Sequence, residues 1–264
     1  MKKFLVIGNP INHSLSPKLH NYWIKDNNIN AVYEKKFLIK KDLKKIITQV
    51  KEKKIDGINV TVPFKKTVIP FLDELTVEAN KTQSVNTIYL NNKKLVGHNT
   101  DIIGFKKSID DFKYDINKKE VFIIGAGGVV SSIIFALIKM KVSKITISNR
   151  TIEKAETLKN LFSNIEIVEW GKIPKFDMII NATSLGLKKE DKIKLDFSST
   201  QKNKFFYDVI YNPKETNFLK VGKKLGNTTL NGKMMFIYQA YSSFNIWHGI
   251  KPSINKDTVK LLDL

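Results

Sequence analysis

Gly125-Ala126-Gly127-Gly128 directly follows the β-branched and aromatic run Val121-Phe-Ile-Ile124, and after it Val129, Ile133, Ala136, Leu137 and Met140 recur at helical spacing. A tight glycine turn between a strand and a helix presents backbone N–H groups and the positive end of the helix dipole. That is the chemistry of pyrophosphate binding. A second apolar run, Lys144-Ile-Thr-Ile-Ser-Asn149, completes a β-α-β unit, and Arg150 stands where its strand should end. In such a unit an acidic residue at this tip holds a ribose 2′-hydroxyl, whereas an arginine accommodates the 2′-phosphate of NADP. Asn149-Arg150-Thr151 has the second pattern, and no other arginine occurs in the chain. The planar guanidinium grips a phosphate two bonds at a time, which a lysine ammonium does not. Val130 sits where the G-x-G-x-x-G/A fingerprint wants a third small residue, so Arg150 rather than the glycines carries the NADP expectation.

Further candidates lie upstream. Ser14 and Ser16 are two apart in a segment expected to be extended, so their hydroxyls face one side, beside a helix that starts at Ser16-Pro17 with serine as N-cap. The helix N-terminus favours an anion, and a substrate carboxylate suits the place. Asp56 to Pro63 alternates: Ile58, Val60 and Val62 point to one face, Asn59 and Thr61 to the other. Lys65 lies just past the carboxyl end of that strand, where ligands of open α/β sheets collect. Ser84 to Tyr89 is a further strand carrying Asn86, and the turn Gly97-His-Asn-Thr-Asp101 leads into a helix that Asp101 would cap. His13 and His20 have no companions at metal-ligand spacing, so no metal site is expected.

Around these residues the elements alternate between strand and helix. The opening run ends at Asn9-Pro10 and is too short for a signal peptide; it reads as the first strand. Ala31 to Phe37 is a second strand, and Lys40 to Lys54 a helix with Leu43, Ile46, Ile47 and Val50 as its buried stripe. Ala155, Leu158, Leu161 and Phe162 mark another helix, Phe176 to Ile180 and Phe205 to Ile210 two more strands. The loop Asn181-Ala-Thr183-Ser184 follows the first of these. A last helix, from about Gly232 to Trp247, is apolar over much of its circumference except at Gln239.

With 264 residues, 42% of them hydrophobic, the chain can bury one large or two modest cores. The absence of cysteine excludes disulfides and thiolate metal sites and fits a reducing compartment. A net charge of +20 invites nucleic-acid binding, but the lysines are spread over outward helix positions and no nucleic-acid motif accompanies them. Val121 to Ile138 is uncharged and long enough to raise the question of a membrane span. Its three glycines and two serines, within α/β patterning, argue against one.

Taken in register, Gly8-Asn-Pro through Ser14-Leu-Ser16-Pro17, Asn59-Val-Thr61-Val-Pro63-Phe-Lys65, Val85-Asn86-Thr87, Asn99-Thr100-Asp101, Gly125-Ala-Gly-Gly128, Asn149-Arg150-Thr151, Asn181-Ala-Thr-Ser184 and Gly232 to Gln239 resemble the shikimate dehydrogenase family nearly end to end. The resemblance implies an α/β protein of two domains. One is an N-terminal substrate-binding domain, residues 1–101 with the returning C-terminal helices 236–264; the other is a Rossmann-type doubly wound NADP-binding domain, residues 102–235. It implies NADPH-dependent reduction of 3-dehydroshikimate to shikimate, a step toward chorismate and the aromatic amino acids, in the cytoplasm, by a monomer or homodimer. Carried over by position, Ser14, Ser16 and Tyr211 would bind the substrate carboxylate, Asn59, Asn86, Asp101 and Gln239 the ring hydroxyls, with Thr61 lining the pocket. Lys65 and Asp101 would be the catalytic pair; the division of acid and base roles between them stays open. Gly125, Ala126, Gly127 and Gly128 would surround the pyrophosphate, and Asn149, Arg150, Thr151 and Lys154 the 2′-phosphate, with Thr183 and Ser184 on the cofactor edge. Lys154 stands in for a second arginine common in the family. A quinate/shikimate dehydrogenase using NAD, and a non-catalytic dinucleotide-binding module, are the alternatives; Arg150 disfavours the NAD preference and the Lys65–Asp101 pair disfavours the module.

Overall fold

The computed structural model describes residues 1–188 and 190–263, in two compact units: Met1–Gly104 with Ile237–Asp263, and Phe105–Phe236. The elements in chain order are β1 (Lys2–Gly8), α1 (Ser16–Asp26), β2 (Ala31–Phe37), α2 (Leu43–Lys51), β3 (Gly57–Val60), β4 (Glu74–Leu75), α3 (Val77–Thr82), β5 (Thr87–Asn91), β6 (Lys94–His98) and α4 (Asp101–Asp111). There follow β7 (Glu120–Ile124), α5 (Val130–Lys139), β8 (Lys144–Ser148), α6 (Ile152–Leu161), β9 (Ile165–Ile167), β10 (Met178–Asn181), β11 (Phe205–Asp208), α7 (Asn217–Lys224), β12 (Thr228–Leu230), α8 (Lys233–His248) and α9 (Lys256–Lys260).

The sheet of the first unit runs β2-β1-β3-β5-β6-β4. β1 pairs parallel with β2 and β3, whereas β5 is antiparallel to β3 and β6. Because β3 lies inside this sheet, both its faces are covered and Gly57, Ile58, Asn59 and Val60 are all buried. The alternation expected through Val62 therefore stops at Val60: Val62 is 56% exposed, and the chain leaves the sheet before a cis Val62–Pro63 bond. β5 begins at Thr87 rather than Ser84, and Gly97 and His98 belong to β6 rather than to a turn. The hairpin that joins the two strands turns through Asn92 and Lys93, both with φ in the left-handed region, 47° and 64°, as a two-residue type I′ loop requires. On α2, Leu43, Ile46, Ile47 and Val50 point into the core with Leu5, Ile7, Ile58 and Ile88, as their i, i+3, i+4, i+7 spacing demands. α8 packs on this unit through Phe244, edge-on to Trp23, and Trp247, against Phe4, and Trp247 Nε1 donates to the Ile88 carbonyl at 3.3 Å.

The second unit holds a sheet ordered β12-β11-β10-β7-β8-β9, parallel throughout. Numbered within the unit, that is the 3-2-1-4-5-6 order of doubly wound dinucleotide-binding sheets, and its switch point falls between β7 and β10. The uncharged run Val121–Ile138 is divided by the glycine turn into β7 and α5, each buried within this layer. No helix among the described residues is long and apolar enough to cross a membrane. Phe122, Ile124, Ile179 and Phe206 from the strands pack with Phe176, Phe197 and Phe218.

Candidate active site

In the first unit the carboxyl ends of β1, β3 and β6 and the amino end of the antiparallel β5 gather the polar residues. Lys65 lies two residues beyond Pro63, and its carbonyl accepts the Val85 N–H at 2.9 Å, which ties it to the strand that carries Asn86. Asp101 is the first residue of α4 but does not act as its cap. Asn99 Oδ1 accepts the Asp101 N–H at 3.0 Å instead, and the Asp101 carboxylate is released to the site. Lys65 Nζ stands 2.5 Å from Asp101 Oδ2, with the side chains 12% and 8% exposed. Asn86 Nδ2 donates to Asp101 Oδ1 at 3.0 Å and to Thr100 Oγ1 at 2.8 Å. One carboxylate oxygen is thus fixed by an amide and the other faces the ammonium, which keeps further N–H donors.

Asn59 is 7% exposed and engaged inside the protein: its Oδ1 accepts from the Tyr33 hydroxyl at 2.7 Å, and its Nδ2 donates to the Asn86 carbonyl at 3.0 Å and to Thr87 Oγ1 at 3.1 Å. Thr61, half-buried, follows it at the strand's end. Ser14 and Ser16 differ from expectation in local geometry. Leu15 between them is in the right-handed helical region and is itself the residue that precedes the first helical turn, so Ser16 begins α1 without capping it. The Ser16 N–H approaches Ser14 Oγ at 3.4 Å, and the Ser16 side chain hydrogen-bonds Tyr33. Gln239, on α8, is half-buried in the same unit.

The second unit brings the remaining candidates to the carboxyl ends of β7, β8, β10 and β11. Gly125 has φ +111°, a conformation L side chains rarely adopt, and a Cβ there would lie 2.9 Å from the Ala182 carbonyl oxygen. Its N–H donates to Ser148 O at 2.8 Å, joining the glycine turn to the end of β8. Ala126 is half-buried and Gly127 and Gly128 are exposed. Nothing lies nearer than 3.7 Å to a Cβ placed on Gly127. No side chain caps α5. At the end of β8 the Asn149 amide donates to the Thr151 carbonyl at 2.7 Å, a turn that holds Arg150 outward. Arg150, Thr151 and Lys154 are exposed, and Arg150 has no ion-pair partner among the described residues. The open glycine turn, the uncapped helix start and the outward guanidinium fit a dinucleotide bearing a 2′-phosphate.

Asn181, which opens the loop motif read from the sequence, and Asp208, which the sequence did not single out, are each fully buried. Asn181 Nδ2 donates to Asp208 Oδ1 at 3.1 Å, while its Oδ1 accepts from Thr183 Oγ1 at 2.7 Å and the Thr183 N–H at 3.1 Å. Asp208 also accepts from Thr216 Oγ1 at 2.6 Å and the Ile210 N–H at 3.0 Å. Burial outweighs these donors and pushes its carboxyl up to about 6. The loop of Thr183 and exposed Ser184 is thereby tied to the segment entering Tyr211, whose ring stacks on Phe236 at 4.5 Å.

Residues 6–88 match the shikimate dehydrogenase substrate binding domain family, and residues 107–217 match the shikimate / quinate 5-dehydrogenase family. A shikimate dehydrogenase (NADP(+)) of Pelagibacter ubique is 58% identical over 263 residues, covering 100% of this chain and 99% of that one. The chain belongs to the shikimate dehydrogenase family. Among solved members, a shikimate dehydrogenase in complex with NADP+ superposes with a TM-score of 0.92 at 34% identity, over 100% of this chain and 95% of its own. The Aquifex aeolicus shikimate dehydrogenase gives 0.90 at 37% identity, over 98% and 96%. As a family member the chain is an α/β oxidoreductase of the CH–OH class that uses NADP.

Proposed function

We propose that this chain interconverts 3-dehydroshikimate and shikimate with NADPH and NADP+, using Lys65 and Asp101 as its catalytic pair. The buried Lys65–Asp101 contact is the observation that carries the proposal. NADPH, when bound, supplies the hydride for the ketone carbon. The chain's own residues must manage the oxygen. In the reducing direction the Lys65 ammonium stabilises charge growing on the carbonyl oxygen and hands over a proton. In the oxidising direction the same nitrogen takes the proton back. Asp101, held at Oδ1 by Asn86, keeps the lysine aimed. Ser14, Ser16 and Tyr211 are proposed for the substrate carboxylate, and Asn59, Asn86, Asp101 and Gln239, with Thr61 lining the pocket, for the ring side. Arg150, Lys154, Asn149 and Thr151 are proposed to receive the 2′-phosphate, and Gly125 to Gly128, Thr183 and Ser184 the rest of the cofactor. The proposal extends to a cytoplasmic enzyme working as one chain or a homodimer; light scattering of the purified protein distinguishes these two forms.

Absorbance of the reduced cofactor, followed with shikimate or quinate against NADP+ or NAD+, tests the activity. Shikimate with NADP+ should turn over fastest. Absence of NADPH formation from shikimate would overturn the proposal, and preference for NAD+ would remove the role given to Arg150.

A further inference from the structure

We infer that Tyr33 is a positioning residue for this substrate site, orienting Asn86 and Asp101 through the amide of Asn59. The inference deepens the function proposed above and rests on it.

Tyr33 is the third residue of β2 and 1% exposed. It is held on two sides. Asn21 clamps its backbone, donating from Nδ2 to the Tyr33 carbonyl at 2.8 Å and accepting the Tyr33 N–H at Oδ1 at 2.9 Å. Its ring stacks on His20, with centroids 4.2 Å apart and planes at 6°. The hydroxyl so placed donates to Asn59 Oδ1 at 2.7 Å.

That bond holds the Asn59 amide in the one orientation its other contacts allow. Its other end faces the Asn86 carbonyl, which can only accept, so the amide must present Nδ2 there and Oδ1 to the phenol. Asn59 Nδ2 also donates to Thr87 Oγ1, leaving that hydroxyl to donate onward to Asn86 Oδ1 at 3.0 Å. Asn86 is then oriented with Nδ2 toward Thr100 and Asp101, and Asp101 meets Lys65. Donation runs one way along the series, from Tyr33 through Asn59, Thr87 and Asn86 to the Asp101 carboxylate. Two of its members are amides, which keep their protons, so the series orients groups and does not carry a proton. Asn59 accordingly serves the site as a brace beneath Asn86.

Tyr33→Phe removes one oxygen and keeps the ring stack, so the variant tests orientation with the fold retained. Leaving Asn59 Oδ1 buried without its donor should lower kcat/KM for shikimate about tenfold, with the Kd for NADP+ within about twofold of the unchanged protein. Asn59→Ala should lower it too, and in a Ser16→Ala background, which removes the phenol's other contact, Y33F combined with N59A should cost no more than N59A alone, because both then act through one amide. A Tyr33 that merely filled the core would give additive losses. Additivity, or a Y33F protein within about twofold of the original kcat/KM, overturns the inference. Side-chain amide hydrogen exchange at Asn86, measured by NMR without ligands, reads the same claim apart from activity. Faster exchange in Y33F supports the bracing and unchanged exchange refutes it. If the unsubstituted protein oxidises no shikimate, the proposed function fails and this measurement alone decides the role of Tyr33.

Discussion

Replacing Asp208 by Asn should change how stability depends on pH, with a sign and size the structure dictates. Asp208 is fully buried, and three donors point at its carboxylate, yet desolvation prevails and raises its pKa from the ordinary 3.8 to about 6. A folded-state pKa above the unfolded one means that the native protein binds the proton more tightly. Asp208 therefore opposes folding above pH 6, where the native carboxyl is ionised, by about 3 kcal/mol at roughly 1.4 kcal/mol per pH unit. As pH falls through about 6 and below 3.8 that cost disappears, because both states become protonated. An asparagine carries no such cost at either pH. Its Oδ1 can still accept from Asn181 and Ile210, and its Nδ2 meets the Thr216 hydroxyl, which rotates to accept. Urea denaturation of the original protein and D208N between pH 4.5 and 7.5 measures the difference directly. The stability of the original relative to D208N should fall by about 2 kcal/mol as pH rises across that range. Parallel curves, or a carboxyl NMR titration of Asp208 with a midpoint in the ordinary aspartate range, would refute the reasoning.

Lys65→Met should reduce kcat by about 10²–10⁴, the range of a general acid–base group, and Asp101→Asn by a similar or smaller factor, each with little change in NADP+ affinity; stopped-flow and steady-state absorbance check this. Arg150→Leu should weaken kcat/KM for NADP+ by about 10–100-fold, the equivalent of 1.5–3 kcal/mol of charge-assisted hydrogen bonding, and leave the NAD+ reaction nearly unchanged. If both cofactors weaken equally, the guanidinium does not read the 2′-phosphate. His20 is buried with both ring nitrogens unpartnered among the described residues, and its pKa is lowered to about 3 by desolvation first and His248 second. The unfolded chain takes up that proton below about pH 6.5 and the native one does not, so stability from this group is present above that pH and lost as pH falls toward 3. His20→Leu should flatten the acid limb of the stability profile. Gly125→Ala should destabilise the second unit by about 1–3 kcal/mol, since it adds a methyl group at positive φ against the Ala182 carbonyl; a lowered thermal midpoint checks it.

How much of this was legible beforehand differs from element to element. The helix stripe Leu43, Ile46, Ile47, Val50 and the strand-turn-helix around Gly125 are local patterns, and local sequence sets them through periodicity and the steric freedom of glycine. Arg150 was legible for a similar reason, because its place at the tip of a strand follows from the run before it. The reading failed where neighbours decide. The Asn59 strand was expected to show one polar face, but an interior strand has both faces covered, so its asparagine turned inward to Tyr33 and Asn86. The β5–β6 hairpin escaped notice because its turn is Asn92-Lys93 rather than a glycine pair. Ser16 looked like a cap, and the turn at Leu15 shifted it into the helix.

By itself, then, the order of residues determined the run of strands and helices, the doubly wound character of the second unit, the phosphate-binding turn and the identity of the groups able to do chemistry. Those follow from short-range sterics and from burial patterns that repeat within a few residues. Tertiary structure alone decided which of those groups meet. Lys65 and Asp101 are 36 residues apart, Tyr33 and Asn59 26, Asn181 and Asp208 27, and each pair is joined by strands whose pairing no local pattern states. A buried polar group must find a partner wherever the chain brings one, so its role is set by the three-dimensional packing around it.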